Sequence, residues 1–294
     1  MIVITTPTGQ IGRQVLAHLL DGTQPVRVIV RDPARLPDQV RRRVEVIEGS
    51  HGDANVLDRV FEGADAVFWL VPPDDAAASI EDAYVGFTRP AVDAFKRHGV
   101  HRVVGISALG RGTAMAGRAG HVTASLAMDD LIADSGVAYR ALTMPSFMDN
   151  LIWQAAPIKT KGVFFGPIDG DRKLPTCATR DIAAIAARLL LDGDWSGFEE
   201  VPVLGPEDLS FDDMAGIMTE VLGIPVRYQQ IPFEAFTANL IERGMSPILA
   251  QAMTDMMSAK NEGLDNAAVR TPQTSTPTSF RQWCQDTLKA VVQG

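Results

Sequence analysis

The chain has 294 residues, 46% of them hydrophobic and 21% charged, enough to bury a sizeable core and unlike a disordered polymer. Its formal charge of -9, with no run of Lys or Arg, repels a polyanion and argues against nucleic acid as a direct partner. Cys177 and Cys284 lie far apart, with no CxxC and no His pair at metal spacing, which argues against a disulfide framework or a metal site and fits a reducing, cytoplasmic setting. No stretch approaches the ~18 apolar residues of a membrane span, and the short apolar start over residues 1–5 has no basic n-region.

Short apolar runs predict strands over residues 2–5, 26–30, 44–48, 66–71, 102–106 and 139–143. Apolar residues at three and four spacing predict helices between them, over 11–20, 56–61, 80–97 and 124–134. Gly63, Gly99 and Gly136 stand where left-handed helix stops are wanted. Alternating strands and helices predict an α/β fold, a doubly wound parallel sheet of the Rossmann type. After Asn150 the rhythm breaks, and residues 153–173 read as loops or short strands able to wall a pocket. A helix over 179–191, a strand over 200–204, a helix to Leu222 opened by a capping box at Ser210, and a strand over 226–230 follow. Helices over 233–243, 247–260 and 280–291 complete a smaller, mainly helical C-terminal lobe, with the polar stretch 271–278 expected as an exposed loop. The expected division is 1–151 and 152–294, with residues near 179–205 packing back on the sheet.

The first strand runs into Thr6-Pro7-Thr8-Gly9-Gln10-Ile11-Gly12 and a helix, so backbone amides at a helix N-terminus face an anion site. Gly9 admits the close approach of a pyrophosphate and Gly12 the close packing of the helix, as in dinucleotide loops. Arg31, at the end of the second strand, suits the 2'-phosphate of NADP(H) better than the ribose hydroxyl of NAD(H), although it also reads as a surface residue opening the next helix. Asp53 reads as an acceptor for an adenine amino group or as a helix cap. An apolar pocket is suggested by Trp69, Met148, Trp153 and Phe165, with Met144, Phe147 and Phe164 nearby in sequence, while Asp149 and Asn150 either meet substrate or turn the chain.

Thr8-Gly9-Gln10-Ile11-Gly12, Val30-Arg31-Asp32-Pro33, Gly52-Asp53, Phe61 to Phe68, Val103 to Ser107, Pro145 to Asn150 and Arg180-Asp181-Ile182-Ala183 are the signature segments. Through them the chain resembles the NmrA-like, atypical branch of the short-chain dehydrogenase/reductase superfamily over nearly its whole length. The resemblance implies NADP(H) across the carboxyl ends of the strands, with Val71-Pro72-Pro73, Ser107, Pro145 and Phe147 lining its path. The superfamily's Tyr-x-x-x-Lys is missing, His121 and Ser125 standing near those positions, and the usual loop glycine is Thr6. With the usual acid gone, His121 is the candidate proton donor, against a plain helix-end histidine. The expected activity is NADPH-dependent reduction of a small, largely apolar carbonyl, quinone or enone; the alternative is a non-catalytic NADP(H)-sensing regulator. A small-molecule substrate is the expected partner, and a homodimer is compatible with this reading.

Overall fold

The computed structural model describes residues 1–294 apart from Pro73 and Asp75. Its first elements are β1 (Ile2–Ile4), α1 (Gln10–Leu20), β2 (Val26–Val30), α2 (Asp38–Arg41), β3 (Glu45–Glu48), α3 (Ala54–Phe61), β4 (Ala66–Trp69), α4 (Phe87–His98), β5 (Arg102–Ala108), α5 (His121–Ala133) and β6 (Ala138–Met144). There follow β7 (Ser146–Phe147), α6 (Ala155–Lys161), β8 (Val163–Gly166), β9 (Leu174–Cys177), α7 (Thr179–Leu191), β10 (Phe198–Pro202), β11 (Asp208–Leu209), α8 (Phe211–Leu222), β12 (Arg227–Gln230), α9 (Phe233–Glu242), α10 (Pro247–Asn261), α11 (Phe280–Trp283) and α12 (Lys289–Gln293). None of the helices among the described residues is long and apolar enough to cross a membrane.

Seven strands form one sheet in the order β10-β6-β5-β4-β1-β2-β3, with β3, β2, β1, β4 and β5 paired in parallel. All four residues of β4 are buried, as a strand covered on both faces requires. This is the α/β Rossmann arrangement, and the strand order reverses between β1 and β4, where the chain leaves the two strands in opposite directions and opens a crevice at their carboxyl ends.

Two compact units arise, one from 1–107, 124–143 and 182–201, the other from 108–123, 144–181 and 202–294. The single break expected near residue 151 therefore becomes several crossings. Strand β10 joins the edge of the seven-stranded sheet from far along the chain, so residues 182–201 belong with the first unit.

The first unit's core gathers Val3, Phe61, Val67, Trp69, Phe95 and Tyr139 around the sheet. Gly105 in β5 makes room for Tyr139: a Cβ there would lie 2.4 Å from the tyrosine oxygen. That hydroxyl donates to Asp129 Oδ1 on α5 at 2.6 Å, and both residues are fully buried. The predicted helix over 80–97 begins instead as a π-helical turn, Asp82–Gly86, before α4. Pro90, lacking an N–H for the Gly86 carbonyl, interrupts the α-helical ladder at that junction.

The second unit holds a three-stranded sheet, β11-β9-β7, and the parallel pair β12 and β8. Its core includes Met148, Phe164, Met218, Phe280 and Trp283. The capping box is present: Ser210 Oγ accepts from Asp213 N–H while the Asp213 carboxylate accepts from Ser210 N–H, each at 3.0 Å. Residues 153–173, expected as loops or short strands, contain the short strand β8 and also a helix, α6; Gly162, at φ 60°, ends the helix and turns the chain into the strand. The stretch 271–278 is a loop, as expected, but only partly exposed: Pro272, Gln273 and Pro277 face solvent while two of its threonines are anchored. Thr276 N–H donates to the Leu204 carbonyl at 2.7 Å, and Thr278 Oγ1 donates to Asp181 Oδ1 at 2.8 Å, which buries both threonines.

Replacing Tyr139 with Phe keeps the ring but withdraws a donor from a buried carboxylate. Urea unfolding of Tyr139→Phe is expected to show a loss of about 1–3 kcal/mol; an unchanged midpoint would contradict this account.

Candidate functional site

The phosphate loop begins at Thr5, whose side chain is wholly buried. Its hydroxyl donates to the Phe68 carbonyl at 2.9 Å and accepts from Leu70 N–H at 3.1 Å, joining the ends of β1 and β4. Thr6 turns the chain with φ 49°, a left-handed conformation that no other non-glycine among the described residues adopts. Its carbonyl accepts from Gly9 N–H at 2.9 Å, and a Cβ on Gly12 would lie 2.2 Å from that oxygen. Only glycine at 12 lets α1 come so close to the loop. Gly9 is the N-cap of α1 and supplies no side-chain acceptor, and no acidic residue occupies the first turn. Thr6 Oγ1 is buried without a hydrogen-bond partner among the described residues. A positive helix end beside an orphaned hydroxyl, with glycine letting the helix pack directly on the loop, fits a phosphate-bearing group. Thr8 and Ile11 are partly and fully buried, respectively, while Gln10 is exposed at the first position of α1.

Asp32 turns its carboxylate to Ala34 N–H at 3.0 Å, capping a short 3-10 turn. Arg31 beside it is exposed and forms no ion pair among the described residues, so a cation stands available at the end of β2. Asp53 accepts from Asn55 N–H at 2.8 Å and caps α3. Beyond β4, Val71 is partly buried against the core and Pro72 is partly buried; Pro73 lies outside the described residues.

Ser107, at the end of β5, is 7% exposed. It hydrogen-bonds to Asp129 Oδ2 and lies 3.3 Å from Ser125 Oγ. Ser125 is thus part of a buried hydroxyl–carboxylate network with Asp129 and Tyr139. The sequence signal was available in Ser125 and Asp129, polar residues one turn apart on a helix face with buried Met128 and Ile132.

His51 is another residue the motifs did not single out. Its Nε2 lies 3.0 Å from the Leu70 carbonyl, and its ring meets Trp69 and Phe87 edge to face, at 5.3 and 5.0 Å between centroids. Burial pushes its pKa down to about 4, with the Arg31 charge adding in the same direction against the opposing backbone hydrogen bond.

Of the residues expected to meet substrate, Trp69 is fully buried and its indole N–H donates to Thr88 Oγ1 at 3.2 Å. Met148 is also a core side chain. Both correct the sequence expectation, because side chains that complete the core present no surface to a ligand. Trp153 is 83% exposed, and Phe165 is partly buried, its backbone held at both N–H and carbonyl by the Gln154 amide. Pro145 is buried, and Phe147 is partly buried in β7, paired with Cys177 of β9. Asp149 accepts from Thr179 N–H at 2.9 Å, a structural use, whereas Asn150 is exposed.

His121 opens α5 and is hydrogen-bonded to the backbone of Leu249. Burial lowers its pKa, so the imidazolium that a general acid requires is scarcer at neutral pH than its sequence position suggests. Among the described residues no cluster of His, Cys, Asp or Glu is arranged to hold a metal.

Residues 7–192 match the model of a family described as NAD(P)H-binding. The chain is 29% identical to (4-alkanoyl-5-oxo-2,5-dihydrofuran-3-yl)methyl phosphate reductase of Streptomyces griseus, over 99% of each protein. It is also 29% identical to an NAD(P)H azoreductase of Xenophilus azovorans, over 87% of this chain and 86% of that protein. An NADPH-dependent quinone oxidoreductase of Escherichia coli, solved with NADPH, shares the fold at a TM-score of 0.80 and 24% identity, covering 100% of this chain and 99% of that one.

Two measurements test this local physics. Thr6→Gly relieves a left-handed threonine at the cost of backbone entropy, and urea unfolding is expected to show a net gain of up to about 1 kcal/mol, whereas Gly12→Ala destabilises. For His51 and His121, the depressed folded pKa means that the unfolded chain binds protons the folded chain excludes. Their contribution is complete above about pH 7 and falls as pH drops below 6.5, by roughly 3 kcal/mol for His51 once pH passes its folded value of about 4. Urea midpoints between pH 7 and 4.5 are expected to fall, and to fall less steeply in His51→Gln.

Proposed function

Because the chain belongs to the NAD(P)H-binding family, we propose that it is an NADPH-dependent reductase of a small, largely apolar carbonyl, quinone or enone. The observation that carries this reading is the first-unit loop: the uncapped N-terminus of α1 with the orphaned Thr6 hydroxyl, and an unpaired Arg31 at the end of β2. The loop from Thr6 to Gly12 would receive the pyrophosphate, with Thr8, Gln10 and Ile11 presenting backbone to it. Arg31 would pair with the 2'-phosphate and select NADPH over NADH, and Asp53 keeps its capping role beside the adenosine. Val71, Pro72, Ser107, Pro145 and Phe147 are the further cofactor contacts proposed from the family pattern. The bound nucleotide supplies a hydride.

The relatives' names describe reduction of an oxo-dihydrofuran phosphate, of azo compounds and of quinones. These are electrophiles that need orientation against a hydride donor more than a strong acid. That suits a chain in which His and Ser occupy the region of the missing Tyr and Lys, with Ser125 tied into the network of Asp129 and His121 held largely neutral. Trp153 and Phe165 remain the aromatic groups proposed to meet the substrate; Trp69 and Met148 are withdrawn from that role by their burial. On the division expected from the sequence, residues 1–151 would chiefly hold the nucleotide and 152–294 would contribute substrate contacts, apart from 182–201, which belong with the first unit.

The test is NADPH consumption against a panel of quinones, enones, azo compounds and aldehydes. Turnover on at least one class is expected, and Arg31→Ala should raise KM for NADPH roughly tenfold while leaving KM for NADH nearly unchanged. Tight NADPH binding without turnover on any class would overturn the reductase reading in favour of a redox-sensing regulator, which the missing Tyr and Lys would also suit.

A further inference from the structure

Leu70 is the first residue beyond β4, past the last ladder pair of that strand at Trp69. Both of its backbone groups are nevertheless held by side chains. Its N–H donates to Thr5 Oγ1 at 3.1 Å, and its carbonyl faces His51 Nε2 at 3.0 Å. A carbonyl only accepts, so this ring nitrogen carries the proton and His51 is the donor. The imidazole cannot swing away, because Trp69 and Phe87 pack edge to face against it. Gly52 allows that packing: a Cβ there would lie 2.7 Å from the Phe87 ring. Burial keeps the ring from taking a second proton near neutral pH. Thr5 in turn directly precedes Thr6, the residue that makes the phosphate turn.

We propose that His51 and Thr5 act together as positioning residues for the cofactor, fixing Leu70 and with it Val71 and Pro72 relative to the phosphate loop and to the loop after β3. The inference rests on the reading of the protein as an NADPH-binding enzyme. It goes beyond that reading by assigning a binding role to two side chains that do not themselves reach for the nucleotide. Three loops, following β1, β3 and β4, meet at one residue, Leu70, whose two flanking peptide groups are each held from a different loop, and a group lying across all three would feel any shift of Leu70 as a loss of fit.

The experiment measures NADPH dissociation constants by fluorescence titration, and KM and kcat with an active substrate, for the wild type, His51→Phe, His51→Gln and Thr5→Val. Far-ultraviolet circular dichroism and thermal unfolding check the fold of each. Phe fills the aromatic slot without a donor, Gln restores a donor, and Val keeps the shape of Thr without its hydroxyl. Expected is an approximately tenfold weaker NADPH affinity in His51→Phe, with KM for NADPH rising more than kcat falls, and recovery of most of the loss in His51→Gln. Thr5→Val should weaken binding similarly, and the double variant should lose less than the product of the two, since both act through the one residue Leu70. Folded His51→Phe and Thr5→Val proteins that bind NADPH like the wild type would overturn this inference alone. If His51→Phe does not fold, Thr5→Val decides it, wild-type affinity there being the overturning result. A wild type that does not bind NADPH would overturn both this inference and the reading on which it rests.

Discussion

The contact between α1 and the loop in front of it is the constraint on which the cofactor end of the first unit depends. A Cβ at Gly12 would come within 2.2 Å of the Thr6 carbonyl oxygen, so the helix can approach only with hydrogen at that position. The approach brings the positive end of α1 to the surface of the loop, and it requires the chain to reverse within a few residues of β1. Thr6 makes that reversal at φ 49° where glycine would do so without strain. The energetic cost, about 1–3 kcal/mol for a side chain in this region, persists because Thr5 on one side and the bond from Gly9 N–H to the Thr6 carbonyl on the other leave the backbone no alternative.

Polar groups at the carboxyl ends of the strands extend that rigidity along the sheet. At β4 the Leu70 peptide is held by Thr5 and His51; at β5 Ser107 is held by Asp129, which Tyr139 also secures. In both places a side chain from a neighbouring element pairs a polar group near a strand end, a backbone group past the ladder at Leu70 and a side-chain hydroxyl at Ser107. Such groups are expensive to bury unpaired, so each pairing also specifies the position of the loop that follows it. The two networks differ in chemistry: one is a neutral imidazole on a carbonyl, the other a carboxylate gathering hydroxyl donors.

The sheet was legible because period and punctuation agree: largely apolar runs of four to six residues, glycine stops at 63, 99 and 136, and a Gly-x-x-Gly between the first strand and helix. The capping box at Ser210 was equally visible, being local. What escaped was determined by partners far along the chain. The stretch 271–278 looks like solvent-exposed turn chemistry, yet its threonines bond to Asp181 and Leu204, some 70 to 100 residues away. Trp69 and Met148 look like pocket residues at strand ends, and only packing distinguishes a ring that finishes a core from one that meets a ligand. His51 was hidden by its position beside Gly52-Asp53, where the glycine and the carboxylate fit a familiar pattern and the imidazole does not.

The same difference separates what is known of cofactor and reaction. A dinucleotide is received mainly by backbone: amides at a helix end, glycines that clear space, and one cation for the extra phosphate. These leave marks on the sequence at fixed offsets. Proton transfer depends on the pKa and reach of individual side chains, which are set by burial. His121 shows the consequence, since the position that suggests an acid is also one where desolvation disfavours the charged form. On the proposed reading, a chain with Ser125 drawn into a buried carboxylate network would have its strength in holding and orienting the hydride donor. An acceptor already electrophilic, whose reduced form draws its proton from water or from a weak donor, is the chemistry that the proposed reading would assign to such a site.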